Sequence, residues 1–239
     1  MQEAKDQAEI RNAIKLNFSD LQARIGRSCL KVGCSVDEII LVAVTKTVPA
    51  ERIQAAIDVG VTTIGENRVQ EAIEKYKTIG NKVEWHLIGH LQTNKVKKSI
   101  EMFTMLQSID SLYLAAEVEK RANAQGKEIQ VLIEVNTSGE DTKFGVKPTD
   151  LFMLIKEMLP FSHLNISGLM TIGPGLAIED KEKSRPCFRM LYELRQRAEI
   201  EFGIKLPYLS MGMSSDFEVG IEEGSNMIRV GTAIFGLRP

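Results

Sequence analysis

A chain of 239 residues suits one large domain and can bury a substantial core without disulfides or metals. Apolar (44%) and charged (26%) fractions are those of a soluble globular protein, and a formal net charge of −2 gives no reason to expect nucleic acid as a partner. Cys29, Cys34 and Cys187 are too few for a disulfide framework, the N-terminus lacks the apolar core of a signal peptide, and the run Ile39 to Val44 is too short to span a bilayer, so the expectation is a cytoplasmic protein without a membrane partner.

The chain opens on a helical pattern, with Ile14, Phe18, Leu21 and Ile25 on one face and charges on the other. Eight strand-like runs follow, at 39–46, 61–67, 83–91, 103–109, 129–136, 164–171, 207–211 and 227–235. Segments of helical periodicity separate them, at 51–59, 68–79, 93–100, 112–124, 149–159, 180–202 and 215–223. Strict alternation of strand and helix predicts parallel βαβ units, and eight strands close as a (β/α)8 TIM barrel. No helix-length segment follows the last strand, so the N-terminal helix is expected to fill the place of the eighth. No linker divides the chain. Residues 1–239 therefore read as a single domain, with 172–176 as a tight turn after strand six.

In such a barrel, functional groups sit at the carboxyl ends of the strands. Lys46 closes the first strand and shares a face with Val42 and Val44. It is either a solvated rim residue or an amine held for chemistry, since a desolvated lysine loses its proton and becomes a nucleophile. Asn67 closes the second strand, and Met170 and Thr171 the sixth.

The stretch Ser210-Met211-Gly-Met-Ser214-Ser215-Asp216 joins strand seven to a helix, and Ser215 with Glu218 has capping-box spacing. A serine-rich turn at a helix start offers amides and hydroxyls to a phosphate, although it also reads as a well-capped helix. Strand eight adds Arg229-Val-Gly231-Thr232, with Arg229 either solvated or functional. Loops seven and eight are the usual phosphate site of these barrels. An inward lysine and a phosphate cradle at one mouth together suggest pyridoxal 5′-phosphate (PLP) held as a Schiff base. Arg229 would then face the pyridine nitrogen, keep it unprotonated and weaken the ring as an electron sink.

Metal ligation fails on spacing. His86 and His90 lie in a strand-like run, where four residues span about 13 Å, too far for one ion. Cys29 and Cys34 have no second pair nearby. Lys95, Lys97 and Lys98 read as a solvated helix face or an anion-facing edge.

Six segments taken together resemble the pyridoxal phosphate homeostasis proteins, also called proline synthetase co-transcribed homologues. They are Val42-Ala-Val-Thr-Lys46, Ile64-Gly-Glu-Asn-Arg68, Trp85-His-Leu-Ile-Gly-His-Leu-Gln92, Gly168-Leu-Met-Thr171, Leu209-Ser-Met-Gly-Met-Ser-Ser-Asp216 and Ile228-Arg-Val-Gly-Thr-Ala-Ile-Phe-Gly236. The resemblance runs from about residue 8 to the C-terminus. It implies a barrel of the alanine racemase type (fold type III of the PLP proteins) with a covalent aldimine at Lys46. It places Asn67 near the cofactor ring, Arg229 at the pyridine nitrogen, and Ser210, Ser214, Ser215 and the Gly231 and Thr232 amides at the phosphate. Met170 and Met211 complete the implied set. The resemblance further implies a role in vitamin B6 homeostasis without established catalysis. A barrel without the second domain of the racemases is expected to be a monomer, one that buffers the cofactor or delivers it to apo-enzymes.

Two rivals remain. Arg229-Val-Gly-Thr232 also resembles the alanine racemase motif. Two-base racemisation would need a tyrosine from a further β-domain, which is not expected of a chain closing at Pro239. The other rival is an aldolase-like barrel using Lys46 without a cofactor.

Overall fold

The structure is a computed structural model describing residues 2–236, with side chains from residue 7 onward. Its strands are β1 (Ile40–Val44), β2 (Thr63–Glu66), β3 (Glu84–Leu87), β4 (Met105–Ile109), β5 (Ile129–Glu134), β6 (Leu164–Met170), β7 (Tyr208–Ser210) and β8 (Met227–Val230). All pairs are parallel, and β8 returns to β1 to close an eight-stranded barrel. The helices are α1 (Gln2–Val32), α2 (Ala50–Asp58), α3 (Val69–Ile79), α4 (Val96–Met102), α5 (Leu112–Gln125), α6 (Leu151–Met158), α7 (Arg185–Phe202), α8 (Phe217–Glu222) and α9 (Thr232–Phe235).

Parallel strands covered on both faces need apolar residues on both. The outward set, including Ala43, Ile64, Leu87, Ile133 and Leu209, meets the helices in one continuous core. The inward set forms a smaller core of Val42, Val44, Ile88, Met105, Leu132, Met170 and Met227. Backbone also approaches backbone across the sheet. A Cβ added to Gly168 would overlap the carbonyl of Tyr208 on β7, so only glycine fits there.

The N-terminal helix does what its pattern predicts. Ile14, Leu21 and Ile25 are buried, α1 packs on α2, α8 and α9, and Asn17 Nδ2 donates to Ile234 O at 3.0 Å. Arg24 pairs with Glu218 of α8 at 3.0 Å. This helix thus covers the sector that the four-residue α9 is too short to cover.

Several boundaries move. Every strand except β4, which ends at Ile109 as predicted, stops one to five residues before its predicted end: β1 ends at Val44, and 227–235 divides into β8 and α9. The predicted capping box at Ser215 is absent. Asp216 is the N-cap of α8, and its Oδ1 accepts from the Met213 amide at 2.7 Å while its Oδ2 accepts from Ser184 at 2.5 Å. Among the described residues no helix is long and apolar enough to cross a membrane.

Candidate functional site

Val42 and Val44 face the barrel interior, and Lys46 follows them, half-buried, in the turn at the carboxyl end of β1. Asn67, one residue beyond β2, is half-buried in the next strand-to-helix connection, and a Cβ on Gly89 would clash with its backbone. Met170 lies in the inner core, fully buried, and closes the floor on the β6 side.

Arg229 is not a solvated arginine: it is 4% exposed, at the level where the inner core gives way to the mouth. Its Nη1 donates to Ser210 Oγ at 2.6 Å and its Nη2 to Thr171 O at 2.7 Å. Guanidinium has no acceptor, so Ser210 and Thr171 O can only accept from it. Ser210 accepts from Arg229 and donates to Gln107 Oε1 at 2.6 Å. Gln107 therefore presents Nε2 to His86 Nδ1 at 2.9 Å, which assigns the neutral ring's proton to Nε2. Burial pushes His86 down to about 4, so it is neutral throughout the physiological range. Burial also pushes Arg229 down to about 10, against the pull of Glu134 and Asp216, and the group stays a cation at neutral pH.

Ser210, an expected phosphate contact, here accepts from Arg229 and gives its proton to Gln107. Met211 packs its side chain in the outer core with Leu209 and Phe217, which leaves its main chain on the side of the mouth.

The loop after β7 and the start of α9 meet at Ser214. Its Oγ accepts from the Gly231 amide at 3.2 Å and the Ala233 amide at 3.4 Å. Ser215 is half-buried in the same loop, and Thr232 is exposed at the first position of α9. Gly231 lies tight against β1, where an added Cβ would sit 3.2 Å from Val44 O.

Sequence reasoning passed over Glu134. It ends β5 on the face of Leu132, is 4% exposed, and its Oε2 has no hydrogen-bond partner. Burial pushes it up to about 7, opposed by Arg229 and reinforced by Asp110. The alternation that singled out Lys46 would have found it, since both close a strand on its inner face. The histidine pair separates as expected: His86 is internal, whereas His90 stacks on Phe144 at 4.0 Å and faces Asp110 at 3.1 Å. The lysine cluster divides. Lys95 lines a cleft of about 420 Å³ with Asn67, Arg68, His90 and Gln92, whereas Lys97 and Lys98 are exposed on α4. A cavity of about 860 Å³ opens at the opposite end of the barrel, lined by Thr63, His86, Gln130 and Tyr208. Barrels of this kind place chemistry at the carboxyl ends of their strands, which makes the mouth that holds Lys46, Asn67, Arg229 and the Ser214 loop the candidate site.

The fold and mouth define a barrel of the alanine racemase class: the family described as alanine racemase, N-terminal domain, matches residues 11–239. The alanine racemase of Clostridium difficile 630 has the same fold (TM-score 0.73, 17% identity), this chain covering 57% of its length and 95% of this chain being matched. A pyridoxal phosphate homeostasis protein of Aquifex aeolicus (strain VF5) is 45% identical over 92% of this chain and 96% of its own. One of Escherichia coli (strain K12) is 37% identical over 95% of this chain and 97% of its own. PipY of Synechococcus elongatus PCC7942, solved with PLP bound, superposes with a TM-score of 0.82 at 31% identity, covering 93% of this chain and 100% of PipY. This chain belongs to the pyridoxal phosphate homeostasis protein family.

Proposed function

We propose that the chain binds pyridoxal 5′-phosphate at the barrel mouth, holds it as a Schiff base on Lys46, and serves vitamin B6 homeostasis as a carrier or regulator without catalytic turnover. One observation carries this reading: a half-buried lysine, a buried arginine and the Ser214 loop converge at one end of the barrel. The residues fit the group. A phosphate monoester needs converging N–H donors, and Ser214 Oγ now takes two amides that a phosphate oxygen would use. When bound, the cofactor supplies an electrophilic aldehyde carbon.

Lys46 would hold that aldehyde, and Asn67 would lie beside the ring. Met170 would form the apolar floor. Ser214 and Ser215, with the Gly231 and Thr232 amides, would hold the phosphate. Two of the five N–H donors of Arg229 go to Thr171 and Ser210, which leaves others for the pyridine nitrogen. Support comes from PipY, whose structure contains the cofactor, and from relatives named as homeostasis proteins rather than enzymes. Recipients would be apo-enzymes that require the cofactor.

The test is the visible spectrum of the protein and of Lys46→Ala with added pyridoxal phosphate. The expected result is an imine band in the parent that is absent from the variant. Racemase and transaminase assays on the loaded protein then separate carrier from enzyme. Absence of any band removes the cofactor and returns Lys46 to the aldolase-like alternative, whereas turnover comparable with a racemase removes the carrier.

A further inference from the structure

Lys46 sits in a tight turn with an unusual backbone. The Val48 amide donates to Thr45 O at 2.9 Å, closing a turn in which Thr47 holds the third position. Thr47 has φ +62°, the single non-glycine residue in the left-handed region among those described. Type II turns fill this position with glycine or asparagine, because a side chain there meets its own carbonyl, and β-branching worsens the clash. Left to itself, a threonine would leave this conformation and take Lys46 out of its direction.

The outer face of β2 and the first turns of α3 counter that tendency. Lys75 Nζ donates to Thr45 O at 2.6 Å, and lies 2.7 Å from Glu66 and 2.6 Å from Glu71. Glu66 also accepts from Thr45 Oγ1 at 2.5 Å, and Glu71 accepts from the Thr47 amide at 2.6 Å. Tethers therefore reach the residue before Lys46 and the residue after it, from a single ion cluster behind the sheet. The arrangement is not a simple stabilising ion pair. Glu66 is fully buried with an unpartnered Oε2, and a lone lysine faces two carboxylates, which a fold under selection for stability alone would replace with apolar packing. Burial raises Glu66. Burial also opposes ionisation of Glu71, but the bonds from Lys75 and the Thr47 amide outweigh it and hold Glu71 low.

We propose that Lys75, Glu66 and Glu71 are positioning residues that hold the Thr45–Thr47 turn in its left-handed form and so aim Lys46 into the mouth. This role presupposes Lys46 as the covalent site. Lys75 is not a rival for that role, because its amine is engaged by two carboxylates and a carbonyl behind the sheet, on the face opposite the mouth.

The experiment titrates pyridoxal phosphate into the full chain and reads the imine band for the parent, Lys46→Ala, Glu71→Ala, Glu71→Gln, Thr47→Gly and the double variant Glu71→Ala/Thr47→Gly. The cost of a left-handed side chain predicts about tenfold weaker imine formation for Glu71→Ala. Glu71→Gln keeps an acceptor for the Thr47 amide and should fall between this variant and the parent. Thr47→Gly should bind as the parent, and in the double variant it should restore most of the loss, because glycine adopts the turn without the tether. Rescue is the deciding readout: a purely structural loss at Glu71 would not be repaired by removing a side chain at Thr47. Near-ultraviolet circular dichroism of Trp85, buried and bonded to Gly80 O at 2.8 Å, verifies that each variant is folded. Parent-like binding by Glu71→Ala, or failure of Thr47→Gly to rescue, overturns the positioning role while leaving Lys46 in place. A band that survives Lys46→Ala overturns both.

Discussion

Replacing Glu134 with glutamine isolates the one carboxylate that faces the mouth without a hydrogen-bond partner for its Oε2. Burial lifts this carboxyl from 4.5 to about 7, so between those values the folded chain keeps a proton that the unfolded chain has released. Stability therefore falls as pH rises through that window, and the loss is complete above the folded value. At about 1.4 kcal/mol per pH unit, the gap corresponds to roughly 3 kcal/mol by pH 8. Glutamine has the shape of the protonated form and cannot titrate. Urea unfolding of the ligand-free parent and Glu134→Gln at pH 4.5 and pH 8 gives the comparison, because all other ionisations are common to both and cancel in the difference. The variant should gain about 3 kcal/mol over the parent between the two conditions. A difference that stays flat with pH would mean that Glu134 is ionised at ordinary cost, and that water or Arg229 satisfies its Oε2.

His86 should behave in the opposite sense. Its value is depressed from 6.5 to about 4, so its contribution is present above 6.5 and is lost as pH falls towards 4, again about 3 kcal/mol. His86→Gln should flatten that acid limb in the same urea series, and an unchanged limb would place the proton uptake elsewhere. Gly168→Ala should cost about 3 kcal/mol or fail to fold, because the added methyl meets the Tyr208 carbonyl, a backbone atom in a neighbouring strand. An unaltered urea midpoint would contradict the close approach of β6 and β7.

The barrel was legible because its signal is long-range and redundant: each strand carries apolar residues on both faces, and each helix repeats the outward stripe. The ends were less legible because they depend on tertiary contacts. Residues 231–235 are as β-branched and apolar as a strand, yet with Gly231 pressed against Val44 and the segment packed on α1 they form α9. Strand ends and loop positions were enough to put Lys46, Asn67, Ser214, Ser215 and Gly231 at the carboxyl end of the barrel. The bond from Ser210 to Gln107 was not legible, because nothing local points to a partner 103 residues away. The clamp behind Lys46 was equally hidden. Glu66 and Lys75 look like a polar strand residue and an ordinary helix charge until β2 and α3 bring them together.

Arg229 keeps its positive charge at neutral pH in spite of its burial. Arg229 can only donate, and the chain through Ser210 and Gln107 ends on a neutral imidazole nitrogen, so each group accepts from the one above it and none returns a proton. Glu134, the carboxylate best placed to neutralise Arg229, is held back from ionising by its own burial. A cation maintained in this way suits an anionic ligand at neutral pH. Placed at a pyridine nitrogen it would leave that nitrogen unprotonated and weaken the ring as an electron sink, which restrains the chemistry such a site could do.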